Sequence, residues 1–196
     1  MKNAWVWVVV TVVVVVVAIF FMGGPPRDLR KYNSLKDPQI SNMADQNMLV
    51  IELKGDPNKV GKETFGKLYK TFFSMKDVKN KAVAPRARWV LPAKGMSKEE
   101  FTGYYGLPVP DGANLPANVP AGVKIEAWEY GDVAEILHLG SYGEETPTIE
   151  RLQKFIAEKG YKIAGLHEEE YLKGPESMFS KPKDYVTIIR YQVRRK

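Results

Sequence analysis

The stretch from Asp132 to Tyr161 constrains the fold most, because a strand, a glycine turn and a capped helix follow one another in it. A short apolar run ends at Leu139 and is followed by a turn with two glycines, a pattern typical of a buried strand. Thr146 is a good N-cap residue and Pro147 suits the first helical position, while Gly160 is placed to end the helix. The sequence therefore predicts a strand followed directly by a helix.

The same order of elements occurs in both halves of the chain. Each half shows a strand, an amphipathic helix and two further strands, with one more strand between the halves at 123–128. The predicted elements are strands at 48–53, 85–91 and 101–109 with a helix at 59–75, and strands at 132–139, 164–172 and 185–193 with a helix at 147–159. Two such units form an antiparallel sheet with both helices on one face. The predicted fold class is α+β, with tandem β-α-β-β modules in a pseudo-twofold antiparallel sheet, preceded by one N-terminal transmembrane helix.

The transmembrane helix is predicted from the segment Ala4–Met22, which has no charged side chain. At ~1.5 Å per residue this segment spans roughly 28 Å as a helix, close to the thickness of a bilayer core. It is longer than the apolar region of a signal peptide and lacks a clean cleavage site, which favours an uncleaved anchor. More Lys and Arg residues follow the segment than precede it, so we expect a single-pass membrane protein with a cytoplasmic soluble domain. The predicted domains are an anchor at 1–24, a linker at 25–46 and a soluble domain at 47–196.

Composition and motifs narrow the classes of function. The chain has no cysteine, which excludes thiol catalysis, disulfides and cysteine-ligated metals. The net charge is +6, but basic and acidic residues are interspersed without a basic stripe or a recognisable reading module, so no nucleic-acid partner is expected. No Ser-His-Asp constellation, phosphate-binding glycine loop or dinucleotide fingerprint is present. We therefore predict no catalytic residue, and binding is favoured over enzyme activity.

The two histidines do not predict a metal site. His138 lies in an apolar strand, where a hydrogen-bonded structural histidine is the usual case. His167 begins the acidic run Glu168–Glu170, but successive residues of a strand point to opposite faces, so only alternate ones converge. We expect neither a metal ion nor another cofactor.

Aromatic residues on the predicted strands are the feature that indicates a ligand. Aromatic faces in a concave site, with a carboxylate nearby, provide stacking area, cation-π attraction and a charge partner for a flat or cationic organic molecule. Trp89 and Tyr105 are candidate ligand-binding residues on this basis. Packing in the core explains such residues equally well.

The second half of the chain resembles a known family. A strand that ends in Gly140-Ser141-Tyr142, a capped helix, the pair Gly160-Tyr161, and the segment Glu169–Leu172 before Gly174-Pro175 are similar to the GyrI-like small-molecule-binding domain, within the SOUL/GyrI-like superfamily. The resemblance covers roughly 47–193. It implies a ligand cleft where two modules meet, and it adds Tyr142, Glu170 and Tyr171 to the candidate ligand-binding residues. We thus expect a membrane-tethered domain that binds a small aromatic or xenobiotic effector.

One position departs from the family pattern. Its members commonly carry a buried glutamate on the last strand, which meets cationic ligands, whereas Thr187 or Ile188 stands there in this chain. Glu126 or Glu170 could take its place from another strand.

Three alternatives remain open from the sequence. The segment Leu107–Pro110 and the strand from Val133 to Gly140 are also similar to the SOUL haem-binding family, which implies tetrapyrrole binding. The same cleft could instead hydrolyse reactive xenobiotics, or the domain could bind a partner without any small ligand.

Overall fold

The computed structural model describes residues 28–78, 83–90, 98–175 and 180–196. These residues form eight strands, two α-helices and several short 3-10 helices. The strands are β1 (Gln39–Met43), β2 (Gln46–Lys54), β3 (Arg86–Trp89), β4 (Thr102–Pro108), β5 (Lys124–Trp128), β6 (Gly131–Leu139), β7 (Tyr161–Lys173) and β8 (Val186–Arg195). The α-helices are α1 (Pro57–Ser74) and α2 (Thr146–Glu158), and 3-10 helices occupy Leu29–Lys36, Lys98–Glu100, Tyr142–Glu144 and Pro182–Asp184.

All eight strands join one antiparallel sheet in the order β1-β6-β8-β7-β3-β4-β2-β5. β1 precedes β2 directly in the chain although one is the first and the other the second-last strand of this order. Likewise β5, which precedes β6 directly, is the last strand and β6 the second. Met43 pairs with Gly131 and Gln46 pairs with Trp128, so the ladder between β1 and β6 continues as the ladder between β2 and β5. The sheet therefore curves until its two ends meet at this continuous ladder of β1-β2 against β5-β6, which we call the closing ribbon.

Both α-helices pack on the same face of the sheet. Ala87 on β3 is the cross-strand partner of Glu169 on β7, which is the partner of Ile189 on β8. Cross-strand partners point to the same face of an antiparallel sheet, so these three side chains share a face. Leu68 of α1 lies in one core cluster with Ala87, and Leu152 of α2 lies in another with Ile189. We call this side the helix face and the opposite side the inner face.

The helices form because their apolar residues recur at helical spacing. In α1, Leu68 and Phe72 are buried at i and i+4, and in α2 Leu152 and Ile156 repeat that spacing. Full burial of each such side chain contributes roughly 1.5–3 kcal/mol, and this tertiary packing rather than helix propensity holds the helices in place. Gly160, with a φ of +75°, follows the end of α2, where a left-handed residue reverses the chain into β7.

The inner face carries a buried network of charges at its centre. Arg190 is 3% exposed and forms ion pairs with three glutamates, and two further arginines from β3 complete the set. The members of this inner charged network are Glu135, Glu168, Glu170, Arg86, Arg88 and Arg190. Burial raises the pKa of Glu168, but the neighbouring arginines outweigh burial and hold that pKa below its ordinary value. Tyr130, at the corner of the closing ribbon, donates its hydroxyl to Glu168 at 3.0 Å and covers the network.

The predicted fold class was wrong. The structure is a single eight-stranded antiparallel sheet rather than two tandem modules behind a transmembrane helix. The prediction counted elements along the chain, and it missed that β1 pairs with β6 and β5 pairs with β2, which ties the two halves together by backbone hydrogen bonds. The region where the sequence predicts a linker contains a 3-10 helix and β1.

The predicted membrane location was also wrong. Within residues 28–78, 83–90, 98–175 and 180–196, no helix is long and apolar enough to cross a membrane. Both α-helices have polar and charged residues between their apolar positions, and they bury only one side. The predicted span itself, Ala4–Met22, lies outside the described residues.

Candidate functional site

The candidate site lies on the helix face at the centre of the sheet, where β3 and β7 are neighbours. His167 and Glu169 alternate along β7 and therefore point to the same side, toward the helices. His167 is the cross-strand partner of Trp89 on β3 and of Tyr191 on β8. Glu145 reaches the same place from the residue directly before α2. The start of α2 and strand β7 thus meet β3, which is distant from both in sequence.

Glu145, His167 and Glu169 form what we call the carboxylate cluster. One donor atom from each residue lies within 4.8 Å of the others. His167 Nε2 is 2.8 Å from Glu169 Oε1, and the Tyr171 hydroxyl donates to Glu169 Oε2 at 2.6 Å. Glu145 is only 6% exposed, and among the described residues its Oε1 has no hydrogen-bond partner. The cluster is therefore buried, polar and incompletely satisfied.

The two glutamates of the cluster have opposite pKa shifts. Burial, and then the neighbouring Glu169, raise the pKa of Glu145 to about 9. Burial also acts to raise the pKa of Glu169, but hydrogen bonds from His167 and Tyr171 outweigh it and lower that pKa below its ordinary value. At neutral pH Glu145 is consequently protonated and Glu169 is ionised. Burial together with Glu169 raises the pKa of Tyr171 well above its usual value, so its hydroxyl stays a donor.

A second layer of contacts orients His167. The Tyr191 hydroxyl is 2.8 Å from His167 Nδ1, and Gln153 of α2 donates to that hydroxyl at 3.4 Å. A proton on Nε2 that is donated to Glu169 leaves Nδ1 to accept from Tyr191, so both ring nitrogens are engaged. The imidazole is held by groups on two strands and one helix.

Six aromatic side chains form a continuous row beside the carboxylate cluster. Their ring centroids are separated in turn by 5.3, 5.3, 5.8, 5.5 and 5.1 Å. The members of this aromatic row are, in order, Trp89, Tyr105, Phe65, Tyr171, Tyr142 and Tyr185. Trp89 and Tyr105 are 8% and 2% exposed, whereas the other four members are half-buried and still offer surface to a ligand. Tyr171 belongs to the row and also contacts Glu169, so the two features meet there.

The structure brings four of the five candidate ligand-binding residues together. Trp89, Tyr105, Tyr142 and Tyr171 all lie in the aromatic row. Glu170 does not join them, because it follows Glu169 on β7 and so points to the inner face. There it pairs with Arg86 and Arg190. Glu126, the other acid considered from the sequence, accepts from the indole of Trp128 at 3.1 Å.

Sequence reasoning missed Glu145, His167 and Glu169 as one site. The alternate spacing of His167, Glu169 and Tyr171 on a strand was a usable signal, since residues at i, i+2 and i+4 line one face. Glu145 had no such signal, because its position next to the cluster depends on how α2 packs. The structure begins α2 at Thr146, so Glu145 is its N-cap, yet its side chain forms no cap hydrogen bond and turns inward.

The other histidine has a structural role. His138 Nδ1 is 3.0 Å from the Thr148 hydroxyl, and its Nε2 is 3.1 Å from the Ser141 carbonyl oxygen. Haem ligation by His138 would require breaking a hydrogen bond that the fold already makes.

Several solved structures have a similar fold. An uncharacterized conserved protein from Listeria innocua is 21% identical with a TM-score of 0.72, covering 85% of this chain and 97% of that chain. A hydrolase from Listeria innocua is 18% identical with a TM-score of 0.66, covering 85% and 98%. The C-terminal domain of EcmrR is 12% identical with a TM-score of 0.62, covering 82% and 98%. At these identities the likeness shows the fold alone.

Sequence comparison assigns the family. No curated protein matches the chain significantly. Residues 36–194 match the GyrI-like small molecule binding domain, which is most of the chain, and the resemblance found in the sequence is thereby confirmed. The chain belongs to the family of GyrI-like small-molecule-binding domains.

Proposed function

We propose that the helix face over β3 and β7 binds a small organic cation that contains an aromatic ring. The observation that supports this proposal is the contact between the aromatic row and the carboxylate cluster at Tyr171. Such a site offers ring surface and negative charge within a few ångströms of each other.

The aromatic row would bind the ring of the ligand. Phe65, Tyr142, Tyr171 and Tyr185 are half-buried, so part of each ring is accessible beside buried Trp89 and Tyr105. A cation over the face of an aromatic ring gains roughly 0.5–2 kcal/mol, and more of that range when water is excluded. A ligand with both a ring and a positive charge would gain from the row by ring stacking and by cation-π attraction.

The carboxylate cluster would bind the positive charge of the ligand. Glu169 is a half-buried carboxylate, with its side chain 12% exposed, that accepts a hydrogen bond from Tyr171 of the row, and the adjacent Glu145 is a second acid that a positive ligand would help to ionise. Family members commonly bind cationic ligands through a glutamate on the last strand, which β8 of this chain lacks. In this proposal Glu169 of β7 binds the cation instead. The site is thus negative on the helix face, while the inner charged network is internally paired.

The test uses a charged ligand and its uncharged isostere. The full chain, treated with a chelator, is titrated with benzyltrimethylammonium and with neopentylbenzene, followed by tryptophan fluorescence and thermal shift. We expect the cation to bind at least about 10-fold more tightly, a difference of roughly 1.4 kcal/mol. Glu169→Gln should remove most of that preference, because the buried charge is gone.

A matched pair of variants on α1 locates the binding site. Phe65→Ala removes a member of the aromatic row and should weaken binding by about 3-fold to 30-fold. Phe73→Ala makes the same change two turns later on the same helix, outside the row, and should leave the dissociation constant within about twofold. Equal effects of the two variants would contradict a binding site at the aromatic row. No binding by a folded protein would move the function to a ligand-free interaction domain.

A hydrolytic function is the second candidate, and one contact favours it. The Tyr171 hydroxyl and the Glu169 carboxylate are 2.6 Å apart, with the carboxyl of Glu145 beside them. A tyrosine and a carboxylate within hydrogen-bond distance can transfer a proton during attack by water. Turnover of electrophilic aromatic substrates that Tyr171→Phe abolishes, without loss of benzyltrimethylammonium binding, would support this function.

A further inference from the structure

We propose that Glu145, His167 and Glu169 bind one divalent transition-metal ion, with Zn²⁺ as the best fit. This inference goes beyond the proposed function, since it assigns the carboxylate cluster an inorganic ion that needs His167 and does not need the aromatic row. A metal ion and an organic cation would both neutralise the same two carboxyl groups, so we expect them to compete.

The first argument is the convergence of donor atoms. One imidazole nitrogen and two carboxylate oxygens lie within 4.8 Å of one another. Atoms bound to one Zn²⁺ ion at ~2.0–2.2 Å are at most about 4.4 Å apart, so movements of under about 1 Å would close the site. Rotation of glutamate side chains supplies movements of that size without any change in the backbone.

The second argument is that outer contacts already orient two of the three donors. The Tyr191 hydroxyl is 2.8 Å from His167 Nδ1, so a proton on Nδ1 that is donated to this hydroxyl would leave Nε2 unprotonated and directed into the cluster. Tyr171 holds the other oxygen of Glu169 at 2.6 Å. Metal-bound histidines and carboxylates nearly always have such partners, and these partners fix the ligand atoms in place.

The third argument is the unsatisfied oxygen of Glu145. Glu145 is only 6% exposed, and its Oε1 has no hydrogen-bond partner among the described residues. A buried polar atom without a partner costs roughly 1–3 kcal/mol, and a bound cation would remove that cost. The same cation would replace the proton that now lies between these two neighbouring acids.

The identity of the donors selects the class of metal. One imidazole and two carboxylates suit Zn²⁺ or Mn²⁺, whereas Ca²⁺ and Mg²⁺ prefer sites made entirely of oxygen atoms. Three protein ligands are the number that leaves a position on Zn²⁺ for water or another molecule.

The experiment measures metal uptake by the full chain. The protein is stripped with a chelator, dialysed and titrated with Zn²⁺ by calorimetry, and Co²⁺ serves as a spectroscopic probe of nitrogen and oxygen ligation. We expect one ion per chain, and we expect Glu145→Gln and His167→Gln each to weaken binding by at least about 100-fold. Tyr191→Phe should weaken it by about 10-fold to 100-fold, because the imidazole loses its orienting partner.

Matched controls separate loss of the site from loss of the fold. Glu150→Gln makes the same change at an exposed position of α2 and should leave the affinity for Zn²⁺ unchanged. Glu145→Gln replaces a carboxyl that is protonated at neutral pH with an uncharged amide, so the variant should stay folded by circular dichroism. Absence of one-to-one uptake, or equal uptake by Glu145→Gln and the native protein, would overturn the metal site. Such a result leaves the aromatic-cation proposal standing, since that test is done with chelator present.

Discussion

At the scale of single residues, Glu145 and Glu169 show how position decides the chemistry of two identical side chains. Glu169 receives hydrogen bonds from His167 and Tyr171, which stabilise its ionised form. Glu145 is buried beside that charge and forms a hydrogen bond with Glu169, so its neutral form is preferred. Two acids with pKa values pushed apart in this way can hold one proton between them, or exchange it for a cation.

The raised pKa of Glu145 predicts that stability depends on pH. The folded protein keeps a proton that the unfolded chain releases above about 4.5, so the free energy of unfolding should fall as pH rises from there toward about 9. Glu145→Gln cannot release this proton, and its free energy of unfolding should fall less between pH 5.5 and 8.5, by about 1 to 4 kcal/mol. Urea unfolding in the presence of chelator measures the difference.

Glu150→Gln is the control for this pH effect, because Glu150 is exposed on the same helix. Its stability should parallel that of the native protein at every pH. Glu169, whose pKa is lowered, contributes stability that is lost only below about pH 4.5, so it does not disturb the range measured. Parallel curves for Glu145→Gln and the native protein would show that Glu145 ionises normally in the folded state.

At the scale of elements, glycines have opposite roles in a strand and in a helix. Gly103 on β4 lies opposite Trp89 on β3, and a Cβ atom there would come within 2.5 Å of the indole ring. Gly66 lies on an exposed side of α1, and a Cβ atom there would have no described atom within 4 Å. The first glycine makes room for the aromatic row, whereas the second only weakens its helix.

The two glycines predict changes of stability with opposite sign. Gly103→Ala should lower the free energy of unfolding by about 1–3 kcal/mol, because the indole of Trp89 must shift in a packed core. Gly66→Ala should raise it by about 0.5–1 kcal/mol, since alanine is the better helix former. Thermal and urea unfolding of the two variants measure both effects. A stable Gly103→Ala variant would mean that Trp89 is free to move and the row is loosely packed.

At the scale of the whole molecule, the central strands and the inner charged network join the two halves of the chain. β3 pairs with β7 in the middle of the sheet, and Arg88 from the first half binds Glu168 from the second at 2.7 Å. Arg190 in turn binds Glu168, Glu170 and Glu135. Removal of one partner from such a buried network leaves uncompensated charges, so both halves should lose stability together.

This coupling predicts cooperative unfolding. Arg190→Met should lower the free energy of unfolding by about 3–5 kcal/mol, because three buried glutamates lose their shared partner. Tryptophan fluorescence, to which Trp89 of the first half and Trp128 of β5 contribute, and far-ultraviolet circular dichroism, which reports the whole chain, should shift to the same new midpoint. Arg194→Met, an exposed position on the same strand, should change stability by under about 0.5 kcal/mol. Separate midpoints for the two signals would show that the halves unfold independently.

Local sequence patterns determined the elements and several members of the site. The two α-helices were predicted near their observed bounds. Their apolar spacing and the residues that begin and end them lie close together in the sequence, so no long-range contact is needed to recognise them. Trp89 and Tyr105 were named from the strand patterns, and Tyr142 and Tyr171 from the family resemblance; all four lie in the aromatic row, and their role in binding a ligand stays a prediction. Family membership, too, was visible from motifs within the chain.

Only the tertiary structure decided which faces meet. A shift of one position along β7 separates Glu169, on the helix face, from Glu170, in the inner charged network, and strand register is set by pairing with distant strands. Glu145 reaches the carboxylate cluster only because α2 packs against the sheet beside β7. The pairing of β1 with β6 and of β5 with β2 likewise depends on contacts between the two halves of the chain. The sequence by itself determined what each segment is, and long-range packing decided what each side chain touches.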